Sequence, residues 1–221
     1  MKFFAWFCKI LILYSILSLS CLLMLKTIIN YSTFKTDVQF LVFKQEYLSN
    51  SIWKFSFYVH VFSAIVSLAA GFTQFSKELL IHKPHFHKIL GRIYVWNILF
   101  INFPVTLVMS IYANGGWLGK SAFLILNSLW FIFTYLAVRY AIQGNFKSHK
   151  EFMIRSFALT FSAITLRTWK LLLTQGNFIP VENVYIIESW LGFLPNIVVA
   201  ELIILFINKK NLSLKGDNSQ S

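Results

Sequence analysis

Long stretches without Asp, Glu, Lys or Arg run through this sequence, and nothing constrains its fold more. A bilayer core about 30 Å thick takes roughly twenty apolar residues per helix, and inside it every backbone N–H and C=O must be bonded within the segment. Phe55 to Phe75, Ile93 to Tyr112 and Ser121 to Val138 meet that demand with no charged side chain. Three more approach it. Phe3 to Leu25 is interrupted only by Lys9, Glu151 to Leu173 carries Arg155, Arg167 and Lys170, and Glu188 to Asn208 carries Glu201. The expected fold is all-α: a polytopic membrane protein of about six transmembrane helices, residues 1–221 forming one transmembrane domain with a polar tail at 209–221. The second to fifth helices form a four-helix core flanked by the first and sixth. No small-x-small site follows the first stretch, so it reads as a retained helix and not a cleaved signal. Pro104 and Pro195 each lack a backbone donor and should kink the third and sixth helices.

Composition agrees, with 57% hydrophobic residues and only 13% charged, against about 25% charged in soluble domains. The net charge of +12 would suit nucleic acid, acidic partners or a membrane surface. The basic residues cluster at the ends of apolar stretches, which selects the lipid bilayer and excludes a nucleic-acid groove. Cys8 and Cys21 share one stretch, about 20 Å apart if helical, too far for a disulfide.

Placing the N-terminus in the cytoplasm puts Lys77, Lys83, Lys88 and Arg92 in one inner loop, Arg139, Lys147, Lys150 and Arg155 in the next, and Lys209, Lys210 and Lys215 in the tail. Both termini are then cytoplasmic. The outer connection from Lys26 to Lys54 dissents with four lysines. Trp53, Trp117, Trp169 and Trp190 fall near outer helix ends, as an aromatic belt would.

Small and polar residues mark faces that meet other helices in lipid. On the second helix His60, Ser63, Ser67, Gly71 and Gln74 form one stripe, and on the third His87, Gly91, Tyr94, Ile98 and Asn102 share a face. The fifth repeats the rhythm with Ser156, Thr160, Ala163, Arg167, Lys170 and Thr174, joined by His149 if it begins early. Depth counting gives two layers. His60, Arg167, Asn127 and Asn102 lie roughly 9 to 15 Å below the outer surface. His85, His87, Arg92, His149 and Arg155 lie near the cytoplasmic face, with Glu201 as their carboxylate partner.

From Tyr58 to about Lys170 the chain resembles a family of predicted bacterial membrane proteins, domain of unknown function 2306 (DUF2306). The matching pieces are His60 in an apolar helix, the run His87-Lys88-Ile89-Leu90-Gly91-Arg92-Ile93-Tyr94, and His149 with Met153, Arg155, Ala158-Leu159-Thr160 and Arg167. The resemblance implies a family-like core over 58–170 and the bacterial inner membrane, and it supplies no reaction.

The chemistry left to the residues is a buried His/Arg site made of His60, His87, His149, Arg92, Arg155 and Arg167. One reading is a b-type haem held by His87 and His149 from different helices, with a quinone or electron-transfer partner and arginines toward the propionates. The alternative is a binder or transporter of a small or lipidic anion on Arg92, Arg155 and Arg167. Its weak point is the lack of evident repeats and interrupted helices. A third is zinc on His85, His87 and His149. No Ser or Cys triad is present.

Overall fold

The computed structural model describes residues 22, 24–175 and 179–217, so Cys8, Lys9, Cys21 and most of the first stretch lie outside it. Among the described residues all regular structure is helical. Helix α1 covers 24–32, and a 3-10 helix covers Gln39–Tyr47. Then come α2 (Ser51–Thr73), the short α3 (Lys77–His82), α4 (Pro84–Trp96), a π-helical segment (Asn97–Asn102) and α5 (Phe103–Ile111). The remainder is α6 (Gly116–Ile142), α7 (Phe146–Thr160), α8 (Ser162–Gln175), α9 (Val181–Leu191) and α10 (Leu194–Asp217).

Four spans, Ser51–Thr73, Pro84–Ile111, Gly116–Ile142 and Asn183–Lys210, are long and apolar enough to cross a membrane. The fifth expected helix is two, α7 and α8, which meet at Phe161 with 15 and 14 residues. Several boundaries differ from the hydropathy reading for local reasons. The third helix begins at Pro84 and not Ile93, because proline in a first turn has no N–H to satisfy and its φ already suits a helix. The fifth begins at Phe146, where the Asn145 side chain accepts from Ser148 N at 3.1 Å. That start brings His149 into its first turn. The connection expected from Lys26 to Lys54 is mostly helical, and the expected tail continues α10 to Asp217.

α6 and α7 pack side by side, α2 lies against α4 and α5, and α10 lies against α7. Their shared core holds Tyr94, Ile98, Ala122, Trp130, Ala137, Met153, Leu159 and Phe193. The second-helix stripe is the seam with α4 and the π segment. Gly71 permits the close approach, since a Cβ there would stand 2.6 Å from the Phe157 ring and 2.9 Å from Tyr94. Gln74 reaches the His87 carbonyl at 3.4 Å.

Three long helices are interrupted along their length. Just before Pro104, Phe103 N bonds to Ile98 O, five residues back, giving a π turn. α7 and α8 break at Phe161, and α9 and α10 at Gly192–Phe193, shortly before Pro195 in the first turn of α10. The last two breaks share one side chain. Asn196 Nδ2 lies 3.1 Å from Ala158 O, 2.9 Å from Thr165 Oγ1 and 3.2 Å from Gly192 O, while Thr165 Oγ1 donates to Gly192 O at 2.5 Å. Freed backbone groups are thus bonded by a neighbouring helix, as lipid requires.

The bundle end that carries Asn114 is closed by the 3-10 segment, with Tyr31, Leu41, Trp53 and Phe57 buried beneath it. Trp53, 1% exposed, is a core residue there and not a belt residue, whereas Trp117 is 85% exposed. Gly115, at φ +79°, turns the chain into α6 in the left-handed region.

Candidate functional site

The seam between α2 and the π segment builds the deeper of two polar sites. The π turn presents two asparagines to the α2 stripe. Asn97 Nδ2 donates to Ser63 O and to Ser67 Oγ, both at 2.7 Å. Asn102 Oδ1 accepts from His60 Nδ1 at 2.9 Å and from Ser63 Oγ at 3.2 Å. Because an amide oxygen only accepts, the His60 proton is on Nδ1 and Nε2 is the open edge of the ring. Thr106 Oγ1 approaches Asn102 O at 2.6 Å and Asn127 Oδ1 at 2.5 Å, extending the network to α6. Asn127 Nδ2 is buried without a partner.

Arg167, on α8, retains open surface and donates to Ala163 O within its own helix. Its electrostatic neighbours are His60 and Tyr31, and no carboxylate is among them. The Tyr31 hydroxyl accepts from Phe40 N at 3.1 Å, and the buried Tyr58 hydroxyl has no partner. Beside this group runs an open groove of about 480 Å³ along Phe34, Phe55, Tyr58, Val59, Phe62 and Ser63. Ser63 joins the groove to the network through Asn102. The arrangement offers a cation, an imidazole edge and two unpaired polar groups next to an apolar trough.

The second site lies at the opposite end. His87 and His149 are electrostatic neighbours. His149 Nδ1 donates to Ala137 O at 2.8 Å, which leaves Nε2 free, and His87 Nδ1 is buried without a partner. Arg155 is committed elsewhere: Nε and Nη2 meet Glu201 Oε1 and Oε2 at 2.6 and 2.8 Å, and the guanidinium lies over the Phe152 ring at 4.9 Å. Arg92 is exposed, outside both groups. Among the described residues no three His, Cys, Asp or Glu side chains gather at metal distance, so the expected zinc trio of His85, His87 and His149 is not assembled.

Between the sites lies a hydroxyl cluster. Tyr94, 0% exposed, sits 2.8 Å from Ser156 Oγ and 2.7 Å from Thr160 Oγ1, with Trp130 Nε1 donating to Thr160 Oγ1 at 2.9 Å. Thr134 Oγ1 is 2.7 Å from Ser156 Oγ. Every group here is bonded, which marks a helix–helix joint more than a binding surface.

The six sequence-selected residues therefore do not make one site. His60 and Arg167 are brought together, His87 and His149 form a second pair, and Arg155 is held by Glu201. The lower half of the fifth-helix stripe, Ser156 and Thr160, is buried, whereas Arg167, Lys170 and Thr174 on the upper half are not enclosed. Sequence reasoning missed Lys44 and Glu188. Lys44, counted as a loop lysine, is 1% exposed, donates to Tyr112 O and Asn114 Oδ1, and stands 4.7 Å from the Tyr47 ring centre. Burial pushes its amine down to about 8. Glu188, taken as the start of the sixth stretch, is 2% exposed, and its Oε2 has no partner. No curated protein and no solved structure matches the chain. The family model described as predicted membrane protein (DUF2306) matches residues 57–204, well over half of the sequence and all three helix interruptions, and the chain belongs to that family.

Proposed function

We propose that this protein binds a small lipidic anion within the membrane, with Arg167 as the anchoring charge and His60 beside it. The observation that carries the reading is Arg167 itself, a cation on α8 without a carboxylate among its electrostatic neighbours. A cation facing lipid without a counter-charge is costly, about 2.5 kcal/mol or more on insertion scales at a helix centre, so an anionic ligand is its natural counterpart. A carboxylic acid suits the pair, its proton meeting His60 Nε2 and its oxygens the guanidinium. The apolar groove ending at Ser63 is suited to an acyl chain. The interrupted helices, which hydropathy did not reveal, remove the objection that the chain lacks the broken helices common in membrane binding and transport proteins.

The test is thermal melting in mild detergent with decanoate below its micellar concentration, against decanol as the uncharged match. Decanoate should raise Tm, decanol should not, and Arg167→Ala and His60→Ala should each abolish the rise. An undiminished rise in both variants would remove this site from consideration.

A second reading rests on the other histidine pair: an enclosed, unpartnered His87 nitrogen beside a His149 whose free Nε2 is oriented through Ala137 O, the arrangement a ligating histidine takes. A b-type haem with a quinone or other electron-transfer partner belongs to this reading alone, and the commitment of Arg155 to Glu201 leaves one propionate partner fewer. Absorption spectra of protein from haem-replete cells decide it; absence of a Soret band ends it.

For orientation, we propose the bacterial cytoplasmic membrane with the His149 end and both termini inside, on the strength of the lysines and arginines gathered there. Impermeant thiol reagent added to intact cells should label Lys120→Cys and spare Lys88→Cys. The reverse pattern would invert the topology.

A further inference from the structure

At the His149 end, far from the Arg167 site, α7 and α10 leave a pocket of about 120 Å³ between them, lined by Lys147, Lys150, Glu151, Ile154, Ile204, Ile207 and Asn208. We propose that this pocket binds the phosphodiester headgroup of an anionic phospholipid, with the first part of an acyl chain on its isoleucine floor. The contacts beside it are closed on themselves. Arg155, one turn deeper on α7, is neutralised by Glu201 of α10, and Glu151 Oε1 accepts from Asn208 Nδ2 at 3.0 Å across the same interface. Among the described residues no ion pair or hydrogen bond engages the amine of Lys147 or Lys150.

The rim thus carries two cations and one anion. That balance matches a singly negative phosphodiester better than doubly charged free phosphate. The floor points the same way: Ile154 and Ile204 are buried, Ile207 packs on their cluster, and a water-soluble anion has no use for them. Position agrees as well. The pocket lies at the first turn of α7 and the end of the Asn183–Lys210 span, where a span meets lipid headgroups.

The experiment uses the full chain in neutral detergent, with melting followed on titration of dioleoylphosphatidylglycerol, dioleoylphosphatidylcholine or inorganic phosphate. Phosphatidylglycerol should raise Tm in a saturable way, the zwitterionic lipid should not, and free phosphate should fail to reproduce the rise. Lys147→Gln/Lys150→Gln should lose the rise, while Lys83→Gln/Lys88→Gln, changed at the same end of the bundle, should keep it. Should the lysine double variant fold poorly, Ile207→Trp, which fills the floor and spares both amines, should also lose the rise. Equal loss in both lysine pairs would show a diffuse surface charge effect and overturn the proposal. So would a rise with inorganic phosphate alone, or one that survives in the Lys147/Lys150 and Ile207 variants.

Discussion

Arg155 and Glu201 face each other in a two-pronged ion pair, Nε to Oε1 at 2.6 Å and Nη2 to Oε2 at 2.8 Å, which ties α7 to α10. Truncating one partner leaves the other charge without its bonds. Glu201→Ala should therefore destabilise the protein in detergent by about 2 kcal/mol, the range of charged hydrogen bonds. Replacing both by Met should recover much of the loss, and a double-mutant cycle on denaturation midpoints measures the coupling.

Lys44 should leave a mark on the pH dependence of stability. Its amine titrates at about 8 in the folded chain because burial disfavours the cation, below the ordinary 10.5. Between those values the unfolded chain holds a proton that the folded chain has released, so stability rises with pH through this window. Lys44→Met should flatten the rise when Tm is followed from neutral to alkaline pH.

The α2 seam should tolerate no added methyl at Gly71, where a Cβ would collide with the Phe157 and Tyr94 rings. Gly71→Ala should cost about 1–3 kcal/mol, the usual range for overpacking a close helix contact. Tyr94→Phe, which strips the shared hydroxyl from Ser156 and Thr160, should cost about 1 kcal/mol, the net worth of such bonds. Thermal melts of the two variants and their combination check both.

Glu188 offers the opposite sign. Its buried carboxylate has an oxygen without a partner, a defect worth about 1–3 kcal/mol. Glu188→Leu should raise stability, whereas Glu188→Gln, which keeps an unpaired polar atom, should change it little. A destabilised Glu188→Leu would show that the carboxylate has a partner in the membrane.

Much of the fold was legible because hydrocarbon leaves so few choices. Four of the six apolar stretches correspond to the four spans, and the three-and-four spacing from His60 to Gln74 gave the α2 seam, whose members all lie at that contact or bond across it. Hydropathy could not place helix ends set by a single group, such as Pro84 in a first turn or the Asn145 cap that admits His149. Nor could it separate a solvated lysine from Lys44, whose burial depends on Tyr112 and Asn114 far along the chain. The pairing of His60 with Asn102 needed the π turn, which a regular spacing count does not contain. Depth counting put the six His and Arg residues in two layers, but depth carries no azimuth, so it gave no sign that Arg92 would turn away from its layer.

The single amide of Asn196 spans two joints. Since it holds Ala158 and Thr165 on one broken helix and Gly192 on the other, neither joint can flex without pulling on its neighbour. The two joints are geared together, through this amide and through the Thr165 hydroxyl that bonds Gly192 directly.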